Sequence, residues 1–343
     1  MFNKLKWIDK NRVFIVFTLI LIVQLYAVYY LVKNIYYKNK NVKGLVVMNT
    51  ISKEDITYKP LKNLLYYYEL NSNIEEVISP WAKYKAKYTI NSDTLNERYE
   101  YKENKDNKVY RIITLGDSYT FGLYVNTENN WTEILEDMLN NSIVEKNICE
   151  KYNKVEIINL GVYGYDIQYS VERFNQRGKK YNPDLIIWLL KHDDTRQIAD
   201  LINKAVVDKS DYYQELIKNK YETNLTDVQK GALIWDIAHE EIQNTLGVQK
   251  IFTIQNEILK NFNKTYKGKI VVVTFPNTPN EDKNFLKEYV KNRPNSNYFE
   301  TIDIFSDKKL YFLNDYHPTK EGHEAIADDI YSYIISNNII SCN

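Results

Sequence analysis

The chain has 343 residues, of which 44% are hydrophobic and 26% are charged, and its formal net charge at pH 7 is zero. Zero net charge argues against a nucleic-acid partner, because proteins that bind nucleic acids normally carry a basic surface. The length fits one enzyme domain with additional segments.

The first predicted element is a membrane anchor at residues 13–33, behind a short tail at residues 1–12. Residues 13–32 read VFIVFTLILIVQLYAVYYLV and contain no charged side chain. A helix of this length, at about 1.5 Å per residue, spans the roughly 30 Å hydrocarbon core of a bilayer. A cleaved signal peptide would have a shorter apolar stretch and a cleavage site of small residues, and Ala27 is the only small residue here. We therefore expect an uncleaved anchor.

Basic residues flank the predicted anchor on both sides, so the positive-inside rule gives no orientation. Long C-terminal domains are translocated largely regardless of flanking charge. The short N-terminal tail would then stay in the cytoplasm. We expect a single-pass protein of the cell membrane whose catalytic part lies outside the cytoplasm.

Residues 34–84 are rich in tyrosine and lysine, and we expect them to form a membrane-proximal stalk that packs partly on the body. The alternating stretch KYKAKYTINSDTLNERYEY at 83–101 predicts a β-hairpin or strand pair around residues 91–93. The main domain is expected to extend from residue 85 to residue 338.

Residues 110–122 read YRIITLGDSYTFG, an apolar β-type run that ends in Gly-Asp-Ser. The carboxyl ends of strands form the rim of an open α/β sheet, where such sheets hold their active sites. Gly116 allows a sharp turn there, Ser118 is placed as a nucleophile, and Asp117 is expected to hold the loop by accepting backbone N–H bonds. Asp and Ser also cap helices very often, so this segment alone leaves both interpretations open.

Two further segments have the same strand-then-turn character, NLGVYGYD at 159–166 and NPDLIIWLLKHDDT at 182–195. Residues 196–266 show helical periodicity throughout. We expect this helical insertion to lie above the strand ends as a lid or a substrate platform. The run KIVVVTFP at 269–276 then predicts another buried strand.

The last informative segment contains Asp315 and His317 just before a helical pattern. A serine hydroxyl is a poor nucleophile until an adjacent base takes its proton, and the base needs a third group that holds its tautomer and orientation. Ser118, His317 and Asp315 can fill these three roles. The pattern therefore indicates a serine hydrolase.

With these segments in this order, the chain resembles the SGNH hydrolases, also called GDSL-type esterases and lipases, over roughly residues 85–338. The resemblance implies a flavodoxin-like three-layer α/β/α fold with a mostly parallel sheet. It implies that Ser118 is the nucleophile and that His317 is the base. It also implies that the backbone N–H groups of Ser118 and of Gly164, in the second segment, bind the oxyanion. No cofactor and no metal are implied.

Two positions depart from the family pattern. The family's oxyanion-hole asparagine falls on Asp193, whose carboxylate would repel an oxyanion, so either Asp193 is protonated or turned away, or His192 is the donor. We favour His192. The family's last block usually reads Asp-x-x-His, but the residue three before His317 is Asn314. We assign the orienting role to Asp315, since Asp-x-His spacing also occurs among relatives that act on polysaccharide acetyl groups.

Together these expectations describe a membrane-anchored serine esterase outside the cytoplasm that removes or transfers O-acetyl groups on cell-envelope or exported polysaccharide. A lipase or lysophospholipase is the alternative among enzymes. A degenerate member that binds glycan without turnover is the alternative from another class. Cys149 and Cys342 either form a disulfide outside the cytoplasm or remain two thiols, and both interpretations stay open.

Overall fold

The computed structural model describes residue 24 and residues 46–48, 64–78, 84–144, 150–220, 227–313 and 315–340. The predicted tail, the remainder of the predicted anchor, Asn314 and both cysteines lie outside these residues. Within the described residues, no helix has the length and the apolar character that a membrane crossing requires.

Four short strands precede the main sheet: β1 (Val46–Met48), β2 (Tyr68–Leu70), β3 (Ile74–Ile78) and β4 (Lys87–Ile90). β1 pairs with β2, and β3 pairs with β4, both antiparallel. The predicted turn at 91–93 is present as a short antiparallel bridge between Ile90 and Asn96, where the Glu97 N–H donates to the Thr89 carbonyl at 3.1 Å. The longer pairing of β4, with β3 from the predicted stalk, was not predicted. After β4 the chain turns at Asn91, whose Oδ1 accepts the backbone N–H groups of Asp93 and Leu95, both at 3.0 Å.

Five parallel strands form the main sheet: β5 (Val109–Leu115), β6 (Lys154–Asn159), β7 (Leu185–Leu189), β8 (Lys269–Thr274) and β9 (Ser296–Glu300). Their order is β6-β5-β7-β8-β9, and Ile113 in the middle of β5 pairs with both Ile158 and Ile186. β5 thus has β6 on one side and β7 on the other. Its carboxyl end is the topological switch point where such sheets bind ligands. The predicted α/β class with a mostly parallel sheet is confirmed.

Ten helices accompany the strands in the described part of the chain. They are α1 (Ser118–Phe121), α2 (Trp131–Val144), α3 (Ile167–Arg173), α4 (His192–Arg196), α5 (Ala199–Asp208), α6 (Ser210–Lys220), α7 (Asp227–Leu246), α8 (Val248–Thr265), α9 (Asn280–Lys291) and α10 (Lys320–Ser336). Single turns of 3₁₀ helix lie at Thr127–Asn129, Lys179–Tyr181 and Ile304–Ser306, and a π-helical turn lies at Phe174–Gly178.

Helices cover both faces of the main sheet, so the domain has three layers. On one face, α2 and α10 pack on strand residues that include Ile112 and Ile187. On the other face, α3, α8 and α9 pack on residues that include Ile113 and Ile186. Because successive strand residues point to opposite faces, the apolar residues of β5 and β7 contribute to both cores.

The predicted helical insertion consists of two structurally different parts. α8 belongs to one helical layer of the sheet, where Ile258 and Phe262 are buried. α5, α6 and α7 instead share a small core of their own around Ile202, Tyr213 and Ala238. This second group follows α4 directly, and α4 begins where β7 ends, so it starts from the carboxyl end of the sheet.

The loop after β6 touches the backbone of α1 directly. A Cβ on Gly161 would lie 2.5 Å from the nitrogen of Phe121 and 2.7 Å from the carbonyl carbon of Thr120. Backbone atoms at these positions cannot move aside without disturbing the turn that carries Ser118. The missing side chain therefore lets the second loop approach the first.

Gly161→Ala should destabilise the protein by about 1–3 kcal/mol or more, since overpacking against backbone forces a shift of the chain. Urea unfolding followed by tryptophan fluorescence measures the change. Gly231→Ala is the matched control, because that glycine is exposed in α7 with no atom within 4 Å of the Cβ position. The control should stabilise the helix by about 0.5–1 kcal/mol. Equal effects of the two replacements would contradict the close contact.

Candidate active site

The turn after β5 places Ser118 at the start of α1. Gly116 has φ +150°, and a Cβ there would lie 2.6 Å from the carbonyl oxygen of Leu189, at the end of β7. Asp117 is the N-cap residue of α1, and its Oδ1 accepts the backbone N–H of Tyr119 at 2.9 Å. This hydrogen bond holds the turn on which Ser118 stands.

Three side chains from the two ends of the domain form one hydrogen-bonded chain. Ser118 Oγ lies 2.8 Å from His317 Nε2, and His317 Nδ1 is hydrogen-bonded to Asp315 Oδ1. With Nδ1–H donating to the carboxylate, Nε2 keeps a lone pair that can accept the serine proton. Tyr124 Oη donates to Asp315 Oδ2 at 3.3 Å. The structure thus brings together the three residues to which the sequence assigns the roles of nucleophile, base and orienting carboxylate.

A tight turn holds Asp315 and His317 in contact. Tyr316 between them has φ +66°, a left-handed conformation that is uncommon for a residue other than glycine. Its backbone N–H donates to the carbonyl oxygen of Phe312 at 2.7 Å, and its own carbonyl accepts from Tyr119 Oη at 2.5 Å. The hydroxyl of Tyr119 therefore links the histidine turn to α1.

Aromatic rings surround the imidazole of His317. The ring centroids of Tyr119 and Tyr124 are 5.1 Å and 5.3 Å from it. Tyr124 also meets Phe312 edge to face, and Phe312 stacks on Tyr84 with the centroids 4.1 Å apart. These rings pack the histidine on two sides and so restrict its rotation.

The second loop presents Gly164 at the surface in a left-handed conformation with φ +75°. The backbone N–H of Val162 donates to the carbonyl oxygen of Gly116 at 3.3 Å, which ties this loop to the turn before Ser118. Among the described residues, no acceptor takes the backbone N–H of Gly164 or of Ser118.

The third loop contributes a cation that the sequence interpretation does not identify. Lys191 Nζ lies 2.9 Å from Asp117 Oδ2 and 4.5 Å from the ring centroid of Tyr119. Ser118 Oγ is 3.2 Å from the same oxygen of Asp117. Burial alone would lower the pKa of Lys191, but the charge of Asp117 and its neighbours raises it well above the usual value. In the sequence, the only feature that points to Lys191 is its position directly after the apolar run LIIWLL, at the end of a predicted strand.

His192 and Asp193 lie at the start of α4. His192 Nδ1 is 3.4 Å from Asp282 Oδ2 in α9. The side chain of Asp193 is 50% exposed, and its Oδ2 is 3.6 Å from Lys191 Nζ. In α7, Gln243 Nε2 lies 3.5 Å from the carbonyl oxygen of Arg196, so α7 contacts α4. The assignment of His192 as a third oxyanion donor stays a prediction.

A hydrogen-bonded serine, histidine and aspartate at the switch point of a parallel sheet define a class of protein, the α/β serine hydrolases. No group of three or more His, Cys, Asp or Glu side chains in the described ranges is arranged to hold a metal ion.

The family described as GDSL-like Lipase/Acylhydrolase matches residues 112–330, more than half of the chain. The chain therefore belongs to this family and hydrolyses ester bonds. The resemblance inferred from the sequence is confirmed.

Several solved esterase structures are similar to this chain. The psychrotrophic esterase EstA from Pseudoalteromonas sp. is 16% identical with a TM-score of 0.42, over 67% of this chain and 98% of that chain. A mutant of Axe2, an acetyl-xylooligosaccharide esterase from Geobacillus, is 13% identical with a TM-score of 0.40, over 69% and 97%. A two-domain esterase active on acetylated mannans is 14% identical with a TM-score of 0.39, over 69% and 51%. No curated protein matches the sequence.

Lys191→Met should destabilise the protein by about 3 kcal/mol, because it leaves the buried carboxylate of Asp117 without its counter-charge. Adding Asp117→Asn removes that charge, so the double variant should be more stable than Lys191→Met alone. Urea unfolding of the single and double variants measures the coupling. Lys260→Met is the matched control, since that lysine is exposed and its loss should change stability by less than about 1 kcal/mol. If the stability change of the double variant equals the sum of the changes in Lys191→Met and Asp117→Asn, the pairing is contradicted.

Proposed function

We propose that this esterase acts through an acyl-enzyme formed on Ser118. Ser118 Oγ attacks the ester carbonyl while its proton passes to His317 Nε2, which then gives the proton to the departing alcohol. Water, deprotonated by the same nitrogen, attacks the acyl carbon and releases the acid. The 2.8 Å hydrogen bond between Ser118 Oγ and His317 Nε2 carries this proposal. Asp315 holds the tautomer and stabilises the imidazolium.

In this mechanism the oxyanion lies between the backbone N–H groups of Ser118 and Gly164. Both groups have no acceptor among the described residues, and the loops that carry them are tied together at Gly116. Donors that are fixed before the reaction and aimed at developing charge usually supply the largest single contribution to catalysis.

The proposed substrate is an O-acetyl group on a polysaccharide. Next to His317, the side chain of Tyr316 is 60% exposed, and its ring lies nearly parallel to that of Tyr311, at 10°. A tyrosine combines an apolar ring face with a hydroxyl, which suits the alternating C–H and O–H groups of a sugar. The same acyl-enzyme would serve hydrolysis to acetate or transfer of the acetyl group to a second hydroxyl.

A lipase or lysophospholipase is the second candidate. Leu313, on the same turn as the catalytic histidine, is 54% exposed. An exposed leucine beside the site offers the apolar contact that a long acyl chain requires. The two candidates differ in the acyl group that they accept, so acyl chain length separates them.

We also propose that the catalytic domain acts outside the cytoplasm and is attached through residues 13–33. The sequence supports this attachment, because residues 13–32 carry no charge and a helix of that length spans the hydrocarbon core of a bilayer. Polysaccharides of the cell envelope, or polysaccharides in export, would be within reach of a domain attached in this way.

Ser118→Ala should reduce hydrolysis of p-nitrophenyl acetate by the purified full chain to the background rate, because it removes the covalent route. Absorbance of released nitrophenol gives the rate, and circular dichroism shows that the fold is kept. Ser306→Ala, which changes an exposed serine, should leave the rate unchanged. Equal rates for the wild type and Ser118→Ala would remove the basis of the proposed mechanism.

Activity should fall steeply as the acyl group grows. For p-nitrophenyl esters from acetate to octanoate, kcat/KM should drop about 10²-fold or more, since each methylene without room in the acyl pocket costs about 1–3 kcal/mol. Rates of Ser118→Ala on the same esters supply the background. A kcat/KM that rises with chain length would favour the lipase candidate instead.

A further inference from the structure

Residues 64–70 contact the second loop of the site, which carries Gly164. Tyr68 Oη donates to the carbonyl oxygen of Tyr163 at 2.6 Å, and Tyr165 Oη donates to the carbonyl oxygen of Tyr68. A Cβ on Gly164 would lie 2.6 Å from Tyr68 Oη. The hydroxyl of Tyr68 therefore lies against the peptide group that joins Tyr163 to Gly164.

That peptide group is the one that carries the N–H of Gly164. The atoms of a trans peptide lie close to one plane, with the C=O and the N–H pointing in opposite directions. A hydrogen bond that fixes the carbonyl of Tyr163 therefore also fixes the direction of the Gly164 N–H. Gly164 has φ +75° and no side chain of its own that could fix this peptide.

Tyr68 itself has little freedom. Its ring is buried and meets Tyr165 and Tyr169 edge to face, at centroid distances of 5.4 Å and 5.8 Å. The next residue, Glu69, lies 2.9 Å from Arg173 Nη1 in α3. Burial raises the pKa of Tyr68 well above its usual value, so the hydroxyl keeps its proton and remains a donor.

We propose that Tyr68 is a positioning residue for ester hydrolysis, whose hydroxyl fixes the Tyr163–Gly164 peptide so that the Gly164 N–H points at the oxyanion. The inference rests on the proposed role of Gly164. It makes Tyr68 part of the active site, although the family match begins only at residue 112. The hydrogen bond to the carbonyl also polarises the peptide, which strengthens its N–H as a donor.

The step affected is the formation of the tetrahedral intermediate. The bond from Ser118 Oγ to the ester carbon forms as the carbonyl π pair moves onto the oxygen, and the serine proton moves to His317 Nε2. The negative charge on the oxygen exists only after this attack. Weakening a donor aimed at it therefore lowers kcat and leaves the binding of the ester unchanged.

Tyr68→Phe removes the hydroxyl and keeps the ring. With the full chain and p-nitrophenyl acetate, kcat should fall about 10- to 100-fold, somewhat less than for the loss of a whole oxyanion donor, with KM unchanged. Trifluoroacetophenone forms a hemiketal on Ser118 whose oxygen takes the oxyanion position, so its inhibition constant should rise by a similar factor. Each rate is divided by the concentration of active sites, which is measured by titration with a fluorophosphonate.

Tyr67→Phe is the matched control. It makes the same change at the adjacent buried residue, whose hydroxyl donates to Glu69 Oε1 at 3.0 Å, and should leave kcat and the inhibition constant unchanged. 4-Aminophenylalanine at position 68 restores an N–H donor and should recover most of the lost kcat.

Unchanged kcat in Tyr68→Phe, or equal losses in the two phenylalanine variants, would overturn the inference. A Tyr68→Phe protein that does not fold would also overturn it, because the hydroxyl would then serve stability. A failure confined to Tyr68→Phe leaves the proposed esterase mechanism standing. If the wild type is as inert as Ser118→Ala, the proposed function fails, and the inference fails with it.

Discussion

The ion pair between Asp117 and Lys191 is the interaction on which the rest of the active site depends. Asp117 Oδ2 lies 3.2 Å from Ser118 Oγ, so an uncompensated carboxylate there would oppose negative charge on the serine oxygen. Lys191 Nζ, 2.9 Å from the same carboxylate oxygen, compensates that charge locally. His317 is then the neighbour that takes the proton in the proposed mechanism. In that mechanism His317 can activate Ser118 because Lys191 neutralises the charge of Asp117.

The parallel sheet brings the two members of this pair together. β5 and β7 are hydrogen-bonded neighbours, so the loops at their carboxyl ends meet. Asp117 follows the first strand and Lys191 the second. Gly116 makes the approach possible, because the carbonyl oxygen of Leu189 occupies the space that a side chain would need. Burying each ion costs several kcal/mol, and the short distance between the pair offsets that cost only while both are present.

Sequence patterns predict the parts of this site that are local. A buried run that ends in Gly-Asp-Ser, and an Asp-x-His before a helix, carry their chemistry in consecutive residues, so Ser118 and His317 can be found without a structure. The contacts that Lys191 and Tyr68 make cannot be predicted in this way, because their partners are distant in sequence and only the fold brings them together. The pairing of β4 with β3 escapes prediction for a related reason. Alternating side chains set the two faces of a strand, but they do not choose the strand that pairs with it.

The Asp-x-His spacing works here because Tyr316 adopts a conformation that most residues avoid. A left-handed backbone costs about 1–2 kcal/mol for a residue other than glycine. The Tyr316 N–H and carbonyl both have hydrogen-bond partners, and Phe312 N–H also donates to the His317 carbonyl at 2.8 Å. At about 1 kcal/mol net for each bond, these contacts offset the strain. The bend brings the Asp315 carboxylate to Nδ1 across one intervening residue instead of two. It also leaves the Tyr316 ring exposed, so the turn that holds Asp315 against His317 presents the ring proposed to meet the substrate.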